Sequence, residues 1–490
     1  MARLADVYRP SLALATDLYQ LTMAQAYVAS GTAQREAVFH LFFRTSPFEG
    51  GFAVACGTAH VLEYLEDYRF LPEDLEYLAG LPGNDARPLF DPSFLRQLAS
   101  LRLALDVDAV PEGTVVFPYE PLVRVTGTIL HAQLVETALL TLVNFETLIA
   151  TKAARVTLAA RGDPVVDFGL RRAQGLDGGL SASRAAYVGG CVATSNVLAG
   201  RLYGLPVRGT HAHSWVMAFE SEVESFEAYA RAQPNNCIFL VDTYDSLEGV
   251  AHAIETGRRL RARGHEMVGI RLDSGDLAYL SIEARRMLDV GGFPDALIVA
   301  SNDLDEHTIA SLKEQGARID VWGVGTRLVT GGEQAALGGV YKLGAVRDAG
   351  GAWRHVVKLS EQAAKTSNPG IQQVRRFTGT AGFLSDMIYD EVQGAPAEAV
   401  IVDPLDPTRR KRVPPGTPAE DLLRPLMRRG RAVVDPPSLD EARRRAREQL
   451  ERLHPGIKRF VHPHQYPVGL SRELQELKTR LVLEQRGERA

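Results

Sequence analysis

The sequence predicts an α/β protein: an irregular (β/α) barrel of parallel strands plus an α+β sandwich domain built from N-terminal and C-terminal segments. Three observations predict it. From residue 163 onward, short apolar runs alternate with helical periodicity, the pattern of parallel strands buried on both faces. Before that point strands and helices mix without regular alternation, which suits a layer rather than a barrel. The chain has 490 residues, 45% of them apolar and 23% charged, and so is long enough for more than one core.

In chain order, residues 16–30 read as a helix that Thr16 or Asp17 caps and Gly31 ends. Glu36 to Arg44 alternates like a strand, and Pro47 to Gly51 breaks the chain. Short helices follow to residue 100. Val107–Ala109 and Val115–Phe117 flank a turn at Pro111-Glu112-Gly113, Leu122–Thr128 is a strand, and residues 131–160 are helical. The barrel strands are Val165–Phe168, Pro206–Thr210, Ile238–Asp242, Val268–Leu272, Leu297–Ser301 and Val321–Val324, with a seventh at Val340–Leu343. Helices at 193–203, 214–231, 246–263, 277–290 and 305–315 separate most of them. An open doubly wound sheet is the alternative. Lys365 to Gly370 reads as an ordered loop, the proline- and arginine-rich 404–437 as a surface wrap, and Ser438–Leu453 as a charged, Ser-capped helix. The domains expected are residues 1–160 (N-terminal sandwich region), 161–345 (barrel with the active site) and 346–490 (packing on both).

Composition narrows the function. A net charge of −5 disfavours general nucleic-acid binding, so any polyanionic substrate needs a local basic site. Cys56, Cys191 and Cys237 are far apart and form no CxxC pair, which points to reduced, buried thiols. Met1 to Pro10 shows no apolar leader core, and no apolar run has the length of a membrane span. The expected location is the cytoplasm.

The chemistry gathers where barrel active sites lie, after the strands. The strand ends read Asp167-Phe168-Gly169-Leu170-Arg171, Gly209-Thr210-His211-Ala212-His213-Ser214, Asp242-Thr243-Tyr244-Asp245, Arg271-Leu272-Asp273-Ser274-Gly275-Asp276, Ser301-Asn302-Asp303 and Gly323-Val324-Gly325-Thr326-Arg327. Taken singly, Asp242 or Asp273 caps a helix as readily as it serves a site, and Gly323 or Gly325 permits a tight turn. Together they suit one ligand set. Arginines and glycine-lined N–H groups hold phosphates and carboxylates. Carboxylates hold a divalent cation on a pyrophosphate. An aromatic such as Phe168 stacks on a flat ring.

Several blocks carry a family resemblance: Thr16-Asp17-Leu18-Tyr19-Gln20-Leu21-Thr22-Met23, Phe42-Phe43-Arg44, Asp167 to Arg172, Thr194 to Gly200, Gly209 to Ser214, Arg271 to Asp276, Lys365 to Gly370, Gln465-Tyr466 and Leu470-Ser471. In this order, over nearly the whole chain, they resemble the nicotinate phosphoribosyltransferases, type II phosphoribosyltransferases. The resemblance implies condensation of nicotinate with PRPP to nicotinate mononucleotide and pyrophosphate in NAD salvage. It implies Mg²⁺, and ATP hydrolysis coupled through a phosphohistidine at His213. The base would lie between Phe168 and Tyr19, with Tyr19 coming from the partner subunit of a homodimer. Arg171 and Arg271 would contact the base or sugar phosphates, and Asp242 and Asp273 the ribose or the metal–pyrophosphate. Gly323, Gly325 and Thr326 would cradle the 5′-phosphate. Thr210, Ser274, Gly275 and Asn302 complete the substrate-binding set, and the direct metal ligands are not assigned. Ser195 stands where related nicotinamide enzymes carry an aspartate, which would repel a carboxylate. Thr45, Glu49 and Cys191 depart from the family pattern.

Other readings remain at this point. Nicotinamide or quinolinate are rival bases. His211-Ala212-His213 also resembles the paired metal ligands of barrel amidohydrolases, although His252 and His307 fall in helical runs. A nucleotide-binding regulator is a third reading, and His213 could hydrogen-bond a phosphate without accepting it covalently.

Overall fold

The computed structural model describes residues 12–362, 365–435 and 438–487. The opening segment read for a leader, and the end of the proline-rich wrap at Pro436 and Pro437, lie outside the described residues. The chain divides into two compact units: Leu148 to Ala335, and the segments up to Thr147 and from Ala336 onward.

The unit Leu148–Ala335 holds the parallel sheet. Its strands in spatial order are Ala193–Thr194, Val165–Asp167, Val321–Val324, Leu297–Ala300, Gly269–Leu272 and Ile238–Leu240. Each is largely buried, as continuous apolar runs such as Leu297-Ile298-Val299-Ala300 require. The order distinguishes a barrel from an open sheet. Chain neighbours are spatial neighbours, and the last strand pairs in parallel with the first, Val324 opposite Asp167. A doubly wound sheet reverses direction at a switch point instead. The seam lies between the second and third strands. There Val207 makes a single parallel bridge to Thr194, and on the other side the Leu240 N–H donates to Nε2 of His211 at 3.3 Å. A side chain takes the place of a ladder bond.

Several elements differ from the sequence reading. The stretch 193–203 is not all helix: Ala193–Thr194 is a strand, Asn196 caps, and the helix is Val197–Tyr203. The Asn196 side chain accepts from the Ala199 N–H, so the polar Thr-Ser-Asn run ends one element and starts the next. The proposed seventh barrel strand is no barrel strand. Val340–Arg347 pairs antiparallel with Glu36–Phe42 and belongs to the other unit. Pro206–Thr210 is reduced to the bridge at Val207.

The second unit interleaves N-terminal and C-terminal segments. One seven-stranded sheet orders Arg354–His355, Val340–Arg347, Glu36–Phe42, Val123–Thr128, Asp106–Ala109, Arg424–Arg428 and Arg431–Ala432. Glu36–Phe42 is central and buried on both faces, so its alternation marks no solvent side. A six-stranded sheet is built from C-terminal strands. At its centre Arg376 and Asp386, both fully buried, pair at 2.5 Å. Tyr466 donates to the same carboxylate at 2.9 Å, and its ring stacks on Phe117 at 4.0 Å. The predicted Ser-capped helix is Leu439–Glu451, with Ser438 and Glu441 forming a reciprocal capping box. No helix among the described residues is long and apolar enough to cross a membrane.

Candidate active site

A cavity of about 140 Å³ opens at the C-terminal ends of the barrel strands, lined by residues including Phe168, Arg171, Arg271, Asp273, Gly325 and Thr326. Asn302 and Gly323 also line it. Most of the residues singled out from the sequence therefore meet at one rim.

Arg271 organises the rim. Its strand, Gly269–Leu272, is central, so the guanidinium rises between neighbours on both sides. Nε donates to the Ser301 hydroxyl at 2.8 Å, Nη1 to Thr210 Oγ1 at 3.0 Å, and Nη2 to Asp273 Oδ1 at 3.0 Å. Ser301 in turn donates to Asp273. For Asp273, burial pushes the carboxyl up, but the Ser301 hydroxyl and the Arg271 charge and hydrogen bond together outweigh it and hold the group below its ordinary range. The Asp273 backbone N–H donates to Asp242 Oδ2 at 2.9 Å, and Ser274 Oγ donates to the same oxygen at 2.6 Å. Asp242 Oδ1 is buried with no partner among the described residues.

His213 sits on this network. Its Nε2 lies 3.5 Å from Asp273 Oδ2, and Nδ1 lies 3.1 Å from the Thr243 hydroxyl. The imidazole is half-exposed and thus open to a reactant. His211, two residues earlier, has different partners. It is buried, its ring packs 4.8 Å from Tyr229, and burial lowers its pKa to about 4. The paired-ligand reading needs both imidazoles on one metal. Here one closes the barrel seam and the other faces Asp273, and neither belongs to a metal-competent cluster among the described residues.

Phe168 and Gly323 explain each other. A Cβ on Gly323 would fall 2.5 Å from the Phe168 ring, so the glycine leaves the ring room against the strand. Its missing side chain is used by Phe168 rather than left open for a phosphate. Gly325 follows at the edge of the same cavity. The Arg271 guanidinium lies 5.5 Å from the Phe168 ring centroid, within cation–π range.

Ser195 is half-buried and does not line the cavity, but its N–H donates to the Asp167 carbonyl at 2.8 Å, beside Phe168. Gly275 turns the chain after Ser274 at φ 79°. Asn302 holds φ 124°, a value that costs a non-glycine residue free energy and concentrates at functional sites. Tyr19 lies in the other compact unit, on the helix Leu18–Ala29, half-exposed beside Lys342, Lys358 and Ser367. Sequence reading overlooked Arg172, Ser301, Asp303 and Thr243. The first three line the cavity and Thr243 holds His213. Ser301, Asp303 and Thr243 stand inside the strand-end segments singled out above and Arg172 directly follows one, so position was the signal and residue type was not.

Comparison with known proteins settles the family. The N-terminal domain of nicotinate phosphoribosyltransferase (NAPRTase) is matched over residues 14–144, the NAPRTase family over 164–378 and the C-terminal domain over 371–478. A nicotinate phosphoribosyltransferase of Bacillus subtilis is 41% identical, with 94% of each chain covered. This chain belongs to the nicotinate phosphoribosyltransferase family. A Mycobacterium tuberculosis member is 42% identical over 94% of this chain and 91% of its own. The crystal structure of the human nicotinic acid phosphoribosyltransferase superposes with a TM-score of 0.84 at 35% identity, covering 95% of this chain and 99% of that one. A nicotinate-nucleotide pyrophosphorylase from Pyrococcus furiosus shares the fold, with a TM-score of 0.68 at 21% identity over 92% and 97% of the two chains.

Proposed function

We propose that this chain transfers the phosphoribosyl group of PRPP to nicotinate, forming nicotinate mononucleotide and pyrophosphate for NAD salvage. Family membership makes it an enzyme and a transferase. The observation that carries the site assignment is the single rim on which Phe168, Arg171, Arg271, Asp273 and Gly325 surround one cavity.

In the reaction, the pyridine nitrogen attacks the ribose C1 while the bond from C1 to the pyrophosphate oxygen breaks. Positive charge grows on the sugar and negative charge on the leaving group, so catalysis is positioning and electrostatics. Phe168 supplies the stacking face for the base. Arg171 and Arg271 hold anionic groups, and Gly325 with Thr326 receives the 5′-phosphate. Mg²⁺ fits this arrangement: the unpartnered, buried Oδ1 of Asp242 beside Asp273 is the hard oxygen set such an ion takes, directly or through water. When bound, Mg²⁺ would neutralise pyrophosphate charge.

ATP coupling belongs to the same proposal. The terminal phosphoryl group of ATP passes to a ring nitrogen of His213, breaking the P–O bond to ADP and forming a P–N bond that water later cleaves to phosphate. The half-exposed imidazole beside Asp273 supports that role. The base site is completed by Tyr19 of the partner subunit in a homodimer. In support, Leu18 and Tyr19 on one unit and Val197 and Leu202 on the other are exposed apolar side chains. Lys342, Lys358 and Lys365 are the basic residues proposed to cross with it. Three buried cysteines in the thiol form support a reducing, cytoplasmic location.

The test is product analysis with nicotinate, PRPP and Mg²⁺, with and without ATP. The proposal expects equimolar nicotinate mononucleotide and pyrophosphate, formed faster with ATP. Consumption of nicotinamide or quinolinate in preference, or no PRPP-dependent product, overturns it.

A further inference from the structure

Two sequence blocks find no use in the proposed chemistry: Phe42-Phe43-Arg44 and Gln465-Tyr466. The structure brings them together in the unit that interleaves both chain ends. There a cavity of about 490 Å³ opens, with Arg44, Phe117, Tyr119, His462, His464 and Tyr466 in its lining. That volume lies in the range of small-molecule sites. Among the described residues, the cavity shares no lining residue with the barrel rim or with the surface beside Tyr19 and Lys342. Its walls are turns at strand ends: after Glu36–Phe42, after Val115–Val116, after Val400–Val402 and before Val468–Ser471.

Three observations point to a ligand. The first is an unsatisfied cation. Nε of Arg44 is buried without a hydrogen-bond partner among the described residues, and the guanidinium lies 5.8 Å from the Phe42 ring centroid. A buried N–H left unpaired costs free energy that an incoming anion recovers. The second is strained backbone. Glu49, Tyr119 and His462 hold φ of 49°, 70° and 46°, and all three line this cavity. The left-handed region is costly for a residue with a side chain, and such residues gather at ligand sites. The Tyr119 N–H donates to the Phe43 carbonyl at 2.7 Å, which pins one strained turn beside Arg44. The third is the mixture of groups. Burial raises the Tyr119 pKa, Arg44 lowers it and Asp403 raises it, so a cation and a carboxylate flank one phenol. His462 and His464 are exposed and add two imidazoles to the lining.

We propose that this cavity binds a phosphate monoester carried on a hydroxylated organic group. The phosphate meets Arg44 and the imidazoles of His462 and His464, donors that suit a dianion. Hydroxyl groups meet Asp403 and Gln465, and the stacked pair Phe117 and Tyr466 forms the apolar wall. A sugar phosphate and a nucleotide share this chemistry. Bare inorganic phosphate would leave the acceptors and the apolar wall unused.

The experiment is calorimetric titration of the full chain with AMP and with ribose 5-phosphate, inorganic phosphate serving as control. Saturating PRPP and Mg²⁺ are present throughout and nicotinate is omitted, so the barrel site is occupied without turnover. Binding of one probe molecule per chain is expected. Tighter binding of AMP assigns a nucleotide, and binding of ribose 5-phosphate at least as tight assigns a sugar phosphate; both uphold the proposal. Arg44→Gln and His464→Ala are each expected to weaken the probe by about tenfold or more, the effect of losing a charge-assisted bond. The nicotinate and PRPP KM values of His464→Ala should stay within about twofold of the parent. Three results overturn the proposal: no probe binding under saturating PRPP, inorganic phosphate bound as tightly as either probe, or affinity unchanged in Arg44→Gln. Should Arg44→Gln fail to fold, unchanged affinity in His464→Ala decides in its place. A PRPP KM raised in His464→Ala as much as the probe affinity falls would place the cavity in the reaction's own site, and overturns it as well.

Discussion

Arg271 donates to Ser301, Thr210 and Asp273 at once, a geometry that only a planar fork provides. Lysine keeps the charge and loses the fork. Arg271→Lys is therefore expected to lower kcat/KM by about 10- to 100-fold, with thermal stability little changed; full activity would show that the fork is not required. At His213 the prediction is about ATP: His213→Ala should retain basal PRPP-dependent turnover and lose ATP stimulation, and no acid-labile phosphate should appear on the protein. His211 makes a prediction about pH. Its folded pKa of about 4 lies below the ordinary histidine value, so the unfolded chain takes up the proton first. The stability it contributes is present above about pH 6.5 and is lost as pH falls toward the folded pKa. Melting midpoints recorded between those limits should fall more steeply for the parent than for His211→Gln.

At the scale of elements, the contact between Gly323 and Phe168 places a strand backbone directly under a ring. Gly323→Ala should push the ring off its seat and raise the nicotinate KM while leaving the fold intact, as kinetics and circular dichroism would show. The capping box at Ser438 is a separate case. Ser438→Ala should cost about 1 kcal/mol of stability and leave activity unchanged. The barrel strands were legible in the sequence because burial on both faces forces continuous apolar runs. The strand Ala193–Thr194 was not, since two residues carry no periodicity and the cap at Asn196 looks like the interior of a helical run. Val340–Arg347 has the pattern of a strand, but nothing local says that its partner is Glu36–Phe42, some three hundred residues earlier. The rim was legible by position, as polar groups after strands. The links that lock it were not: the Arg271 fork to Ser301 and Thr210 and the seat at Gly323 depend on residues distant in the chain.

For the whole molecule, the two compact units have different cores, and the one interleaving both chain ends holds a buried ion pair. Removing one partner of such a pair leaves an uncompensated charge at a cost of about 3–5 kcal/mol. Arg376→Met should therefore destabilise strongly through Asp386, which chemical denaturation would measure. The central claim is that one end of one barrel is where nicotinate meets the phosphoribosyl group. A crystal structure of the enzyme with nicotinate mononucleotide tests it most directly. The pyridine ring is expected stacked on Phe168 and the 5′-phosphate against Gly325 and Thr326. A nucleotide seated away from this rim, with Phe168 and Arg271 untouched, would contradict it.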